Sequence, residues 1–241
     1  MSSEGRKGKI MRKVGIVPDA DLFFTDNIYN DNYYFANTYV TRAVEAGMLP
    51  VGILAVNGRI VKELLEECDC FILTGGNHLW TGQMQVIDHA VKTGKKVLGI
   101  CLGCQAIHTY FRLREDMKTQ GAVCDVGDFW ELQEESDVEY FTKVEGHCEK
   151  TALRGHEDNA KHKIFIKEGT LIHEITGKTE IMGVSLHTYA CVNPAPGVVI
   201  SAVAADGVAE AVEYGKNIIG TQFHPDADRD LFCFFEYLAH V

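Results

Sequence analysis

The sequence predicts a doubly wound α/β protein with a mixed sheet and helices on both faces. Three observations carry that prediction. The first half alternates short β-rich apolar runs with stretches of helical period, the pattern of parallel strands covered on both sides. One of those strands, residues 96–100, runs without a gap into Cys101 and a helical stretch. The second half holds strand signals at hairpin spacing, which adds antiparallel neighbours.

Taken in order, residues 14–17 form a first strand closed by Pro18. Residues 33–46 place Tyr34, Ala36, Val40, Ala43 and Val44 at mostly helical spacing and stop at Gly47. Residues 50–54 read as the second strand, 60–66 as a helix, and 68–73 as a third strand entering the turn Thr74-Gly75-Gly76-Asn77. A helix over 80–93 leads to the fourth strand, 96–100, and then to a helix over 102–111. From 113 to 162 the periodicity weakens. Residues 114–118 and 131–137 are charged and 154–163 are polar, which predicts loops or short hairpins. Strand signals return at 163–166, 181–186, 198–204, 209–214 and 218–223, and an amphipathic helix over 228–239 follows. No internal repeat or low-complexity linker appears, so 13–241 is expected to be one domain behind a flexible tail over 1–12.

The 241 residues carry 34 acidic and 23 basic side chains, a net charge of −11, which repels phosphate backbones and anionic lipid faces. Neither nucleic acid nor a membrane is an expected partner. No run approaches the roughly 18 apolar residues of a membrane span. The basic residues near the start are not followed by an apolar h-region, so no secretory signal is expected. The eight cysteines then read as free thiols of a reducing, cytoplasmic setting. Cys68-Asp69-Cys70 and Cys101-Leu102-Gly103-Cys104 lack a second ligand pair at finger-like spacing, so no metal site is expected. His147, His156 and His162 lie in the polar segment and read as solvated, and Tyr29, Tyr33, Tyr34 and Tyr39 read as helix packing.

The sharpest local feature is Gly99-Ile100-Cys101-Leu102-Gly103, a thiol between two glycines where a strand becomes a helix. Such an elbow strains the central backbone and needs small neighbours so that nothing covers the side chain. The helix N-terminus ahead of the sulfur favours thiolate. From the pentapeptide alone, Cys101 reads equally well as a nucleophile or as a small core residue. Gly75 and Gly76 offer backbone amides which, with that of Leu102, could form an oxyanion hole, or they form an ordinary turn. Gln222-Phe223-His224-Pro225-Asp226 ends the last strand and supplies an imidazole base with a carboxylate two residues on. Asp228 is the next carboxylate in line. The Asp206-Gly207 turn with Glu210 reads as a supporting hairpin, and Cys101 with Cys104 as a conceivable redox pair that explains less.

In order and spacing, Leu73-Thr-Gly-Gly76, Gly99-Ile-Cys-Leu-Gly-Cys-Gln105, Ser185-Leu-His187, Asp206-Gly-Val-Ala-Glu-Ala211 and Gln222-Phe-His-Pro-Asp226 resemble the class I glutamine amidotransferase-like hydrolases. The nearest branch is peptidase C26, which includes γ-glutamyl hydrolases and γ-glutamyl-γ-aminobutyrate hydrolases. The resemblance implies a flavodoxin-like fold and γ-glutamyl amide hydrolysis through a thioester, with no cofactor. The nucleophile falls on Cys101, the base on His224, the oxyanion donors on Gly76 and Leu102, and the glutamyl contact on Gln105. Gly75, Ser185, Leu186 and His187 are the further expected substrate contacts. The family's usual third member is Glu where this chain has Asp226. Val184-Ser185-Leu186-His187-Thr188-Tyr189 stands for the family's Asn-Ser-Leu-His-His-Gln, and Leu102 stands where Arg or Tyr is common in the C26 branch. The expected partners are a small γ-glutamyl substrate and, at most, a second copy of the chain. Two other readings stay open, a glutaminase subunit that hands ammonia to a separate synthetase and a sensor that binds a γ-glutamyl ligand without turnover.

Overall fold

The apolar runs collect in one nine-stranded sheet. The structure is a computed structural model that describes residues 11–21, 32–56, 58–121, 140–148 and 160–240. The expected tail up to residue 10, Tyr29, the charged stretch 131–137 and His156 lie outside the described residues.

In chain order, β1 (Lys13–Val17) is followed by β2 (Asp19–Asp21) and β3 (Asn32–Tyr34), then by α1 (Asn37–Glu45) and β4 (Leu49–Gly52). The short pair β5 (Ala55–Val56) and β6 (Arg59–Ile60) precedes α2 (Lys62–Glu67), β7 (Cys70–Leu73), α3 (Thr81–Thr93), β8 (Lys96–Ile100) and α4 (Leu102–Thr119). Next come β9 (Phe141–Lys143), β10 (Lys161–Ile166), α5 (Leu171–Thr176), β11 (Glu180–Val184) and β12 (Tyr189–Cys191). The chain continues through β13 (Val198–Ala204), β14 (Ala209–Tyr214) and β15 (Ile218–Thr221) to α6 (Cys233–Ala239), which a 3-10 turn at Arg229–Leu231 precedes.

The sheet order is β11-β10-β13-β14-β15-β8-β7-β1-β4. From β4 to β15 all neighbours are parallel, and from β15 to β11 all are antiparallel. Period-2 alternation sends successive side chains to opposite faces. Phe71, Leu73 and Val97 join α3 and α4 in one apolar cluster. Ile72, Leu98 and Ile100 join Phe234, Phe235 and Leu238 in the other. Both faces of β7 and β8 are therefore buried, and their carboxyl ends open onto the crevice where open α/β sheets hold ligands. Among the described residues, no helix is long and apolar enough to cross a membrane.

Three expectations need correction. Tyr33 and Tyr34 are not helical, because β3 pairs antiparallel with β2 and the helix begins only at Asn37. Residues 114–118 are not a loop but the last turns of α4. Leu113 and Met117 sit four apart on the buried face, while Arg112 pairs with Asp116 at 3.4 Å and Lys118 with Glu115 at 3.6 Å on the outer one. Ile60 pairs in β6, so the following helix starts at Lys62. The helix α5, which no periodicity announced, is held at its ends by a Thr170 cap and left-handed Gly177.

Candidate active site

Cys101 joins β8 to α4 with φ +54° and ψ −105°, a conformation that costs a non-glycine residue about 1–3 kcal/mol and persists only when its surroundings enforce it. They do so here on both sides. The Cys101 N–H donates to the Thr221 carbonyl of β15 at 2.7 Å, and the Cys101 carbonyl accepts from the Cys104 and Gln105 N–H groups at 3.0 and 3.2 Å. The flanking glycines have a role other than the one expected. A Cβ on Gly99 would lie 2.4 Å from the Gly103 carbonyl oxygen, and one on Gly103 would lie 2.3 Å from the Leu73 carbonyl oxygen. They let the backbones of the elbow, α4 and β7 touch, which is what holds the strained residue in place. The thiol is buried at 8% exposure and stands at the N-terminal end of an 18-residue helix.

His224 arrives at the end of β15, where its N–H donates to the Val184 carbonyl at 2.8 Å. Its ring shares the space in front of Gly75 with Cys101, and its Nδ1 lies 3.1 Å from Asp226 Oδ1. The shorter aspartate thus reaches the imidazole directly. Asp226 Oδ2 accepts from the Thr38 hydroxyl at 2.7 Å, and its backbone carbonyl accepts from Arg42 Nε at 3.1 Å, so α1 braces the turn. Burial disfavours the imidazolium, but Asp226 and Cys101 outweigh it and push the His224 pKa up to about 10. Burial likewise opposes the Asp226 charge, and His224 and Thr38 outweigh it, which holds that carboxyl below its ordinary range. Asp228 is engaged elsewhere, with Lys161 at 2.9 Å and the Asp230 N–H at 3.0 Å.

Gly75 closes the site. A Cβ there would lie 2.9 Å from Tyr39 Oη, 3.2 Å from His224 Cε1 and 3.4 Å from Cys101 Cβ. Its N–H donates to Tyr39 Oη at 3.0 Å. Burial, then the Asp226 charge, push the Tyr39 pKa far up, so the phenol keeps its proton. The next peptides are fixed by Asp19, whose carboxylate accepts from the Asn77 and His78 N–H groups at 2.9 and 3.1 Å and fills the space a Gly76 side chain would need. Among the described residues, nothing accepts a hydrogen bond from the Gly76 or Leu102 N–H.

The structure therefore brings Cys101, His224, Asp226 and Gly75 together. Gln105 ties α4 to its neighbours, its Nε2 donating to the Tyr189 carbonyl at 3.3 Å and to Gln222 Oε1 at 3.2 Å. Ser185 and His187 are buried with their polar atoms engaged away from the elbow. The Ser185 hydroxyl donates to the His147 carbonyl at 2.9 Å, and His187 Nε2 lies 3.3 Å from Glu210 Oε1. Leu186 packs in a small cluster with Ala160 and Val184. His147 is not solvated as expected but 3% exposed, and His162 is half-buried, because both rings converge on Glu210. Burial opposes the Glu210 charge, yet the surrounding imidazoles hold its carboxyl well below the usual range. The Cys104 thiol faces β15, where a Cβ on Gly220 would lie 3.0 Å from its Sγ. The seven described cysteines are all free.

Sequence reasoning missed Thr38, Arg42 and Asp19, and placed Tyr39 in helix packing. Asp19 carried a usable signal, since it follows β1 at the carboxyl edge of the parallel strands. Thr38 and Arg42 had none, as a brace for a residue more than 180 positions away leaves no local mark, and Tyr39 meets Gly75 from another element, 36 positions earlier in the chain.

The peptidase C26 family model matches residues 81–226. Among curated proteins, a CTP synthase of Chlamydia felis is 26% identical over 161 residues, covering 66% of this chain and 26% of that protein. A CTP synthase of Sulfolobus acidocaldarius is 29% identical over 155 residues, covering 60% and 28%. The matched part is thus about a quarter of the length of these relatives. Among solved structures, the glutaminase domain of Trypanosoma brucei CTPS with bound acivicin aligns at TM-score 0.62 and 16% identity, covering 95% of this chain and 94% of that one. A glutamine amidotransferase of Thermotoga maritima aligns at TM-score 0.55 and 15% identity, covering 94% and 81%. At those identities the likeness is one of fold, and the fold is that of class I glutamine amidotransferase domains.

Proposed function

The chain belongs to the peptidase C26 family, and from that premise we propose that it cleaves γ-glutamyl amides with Cys101 as nucleophile, His224 as base and Asp226 as the group that orients His224. It is a hydrolase of the glutamine amidotransferase type, and the proposal concerns which bond it cleaves and with which residues. The observation that carries it is the strained Cys101 with the His224 ring beside it at Gly75 and Asp226 behind the imidazole.

Cys101 gives its proton to His224 and attacks the amide carbonyl, whose oxygen becomes the oxyanion held by the Gly76 and Leu102 N–H groups. The imidazolium, favoured by Asp226, returns the proton to the leaving amine as the C–N bond breaks. The thioester that remains is attacked by water, His224 taking one proton and passing it to the departing thiolate. Gly75 and Gln105 border the glutamyl half. The leaving amine lies toward residues 185–189, where the Val184 carbonyl meets the His224 N–H and the Tyr189 carbonyl meets Gln105.

The test offers the purified chain alone a panel of γ-glutamyl amides, glutamine among them, and follows free glutamate by mass spectrometry. An electrophilic glutamine analogue maps the nucleophile. Glutamate release, a label on Cys101 and a loss of about 10⁴-fold or more in Cys101→Ala support the proposal. A label on Cys104, or binding of these amides without turnover, overturns it. The similarity to CTP synthases favours a second reading, in which the chain supplies ammonia to a synthetase. Cleavage of glutamine only, rising when a synthetase is added, would select that reading.

A further inference from the structure

A second cluster, absent from the chemistry above, gathers three imidazoles on one carboxylate oxygen. Glu210 of β14 is fully buried. Its Oε1 lies 3.1 Å from His147 Nδ1, 3.0 Å from His162 Nε2 and 3.3 Å from His187 Nε2. These residues come from four separate stretches of chain.

Hydrogen bonds account poorly for that convergence. His147 Nε2 lies 2.9 Å from Asp206 Oδ2, and His187 Nδ1 lies 2.9 Å from the Tyr189 carbonyl oxygen. Carboxylate and carbonyl oxygens only accept, so the ring protons belong on those nitrogens. In the neutral rings, His147 Nδ1 and His187 Nε2 then aim lone pairs at an anionic oxygen. Among the described residues, His162 Nε2 and Glu210 Oε2 are buried with no hydrogen-bond partner, the first despite its short distance to Oε1. Electron-rich atoms held this close require a cation among them.

We propose that His147, His162 and Glu210 bind one divalent transition-metal ion of the zinc type, with His187 packed beside it. The candidate ligand atoms of these three lie within 4.8 Å of one another. Tetrahedral zinc with bonds of about 2.0–2.1 Å separates its ligands by about 3.3–3.4 Å, close to the 3.0 and 3.1 Å between Glu210 and the two rings. Imidazole nitrogen with carboxylate oxygen is a donor set that zinc favours. Asp206 on the far nitrogen of His147 is the outer carboxylate that orients a metal-bound histidine, and with Glu210 it balances the charge of a dication. The ion would staple β10, β14 and the stretch after β9. Glu210 also accepts the Gln222 N–H at 2.8 Å through its backbone carbonyl, two residues before His224, so the staple supports the turn that carries the base.

The test strips the full-length protein with a chelator and titrates zinc against a chromophoric competitor, with cobalt(II) absorption as a second readout. The expected result is one equivalent per chain, a rise in Tm with zinc, and a tetrahedral cobalt spectrum without a thiolate charge-transfer band. Asp206→Asn alters an exposed side chain that is not a ligand, and it should weaken zinc binding by about 10- to 100-fold. His162→Gln should abolish the stoichiometric site. If His162→Gln fails to fold, Asp206→Asn and the cobalt spectrum carry the test. Absence of stoichiometric binding would leave protons as the cations of the cluster and overturn the proposal. A thiolate band, or undiminished affinity in Asp206→Asn, would overturn it equally.

Discussion

Replacing Asp226 by Asn removes a charge and keeps a shape. Asp226 is 3% exposed, with one oxygen on His224 Nδ1 and the other on the Thr38 hydroxyl. An asparagine that keeps its oxygen on Thr38 turns its amide NH₂ toward His224 Nδ1. That nitrogen must then accept, the ring proton moves to the nitrogen facing Cys101, and the imidazole can no longer take the thiol proton. The magnitude has two sources. Raising His224 from 6.5 to about 10 amounts to several kcal/mol in favour of the imidazolium, at ~1.4 kcal/mol per tenfold, and Asp226 supplies most of the favourable part. A wrong tautomer alone lowers kcat by about 10⁴ in the serine-protease triad. We therefore expect kcat for a γ-glutamyl amide to fall by about 10³ to 10⁴ with KM nearly unchanged, because the carboxylate acts mainly on charge that develops during reaction. Without Asp226, burial works against the His224 cation, so its pKa drops from about 10 and the pH profile of kcat/KM moves toward acid. Steady-state kinetics across pH, with circular dichroism to confirm folding, measures both. An Asn variant with near-wild-type kcat and an unmoved profile would refute the reasoning.

Gly103→Ala sets a Cβ 2.3 Å from the Leu73 carbonyl oxygen. The backbone cannot yield cheaply, so we expect a loss of about 2 kcal/mol and a Tm lower by about 4–8 °C; an unchanged melting curve would show that the elbow relaxes. Tyr39→Phe deprives the Gly75 N–H of its acceptor, which should cost about 1 kcal/mol and lower kcat several-fold. A lower Tm with intact kcat would make Tyr39 a purely structural support. The pH dependence of folding stability has a definite sign. Because the His224 pKa is raised on folding, its contribution is complete below about 6.5 and lost as pH rises through about 10. The stability gap between wild type and His224→Gln, measured by denaturant titration, should therefore narrow over that range, and a gap that widens would contradict the assignment.

What could be read without coordinates was whatever a short stretch of chain determines for itself. Strands at 96–100, 198–204 and 209–214 follow from runs whose length and residue types suit a buried strand, and the observed bounds coincide. The elbow was legible because strand, thiol, glycines and helix are contiguous, and His224 and Asp226 because they share one turn. Tertiary structure decided the rest. Tyr33 and Tyr34 became a strand only because β2 lies beside them, and residues 114–118 stayed helical because Leu113 and Met117 found a core to enter. Thr38 reaches Asp226, Asp19 reaches the peptides after Gly76, and four separate segments meet at Glu210. Periodicity records the face a residue turns inward. It carries no record of which distant side chain meets it there, and hydrogen bonds, ion pairs and shifted pKa values depend on that meeting.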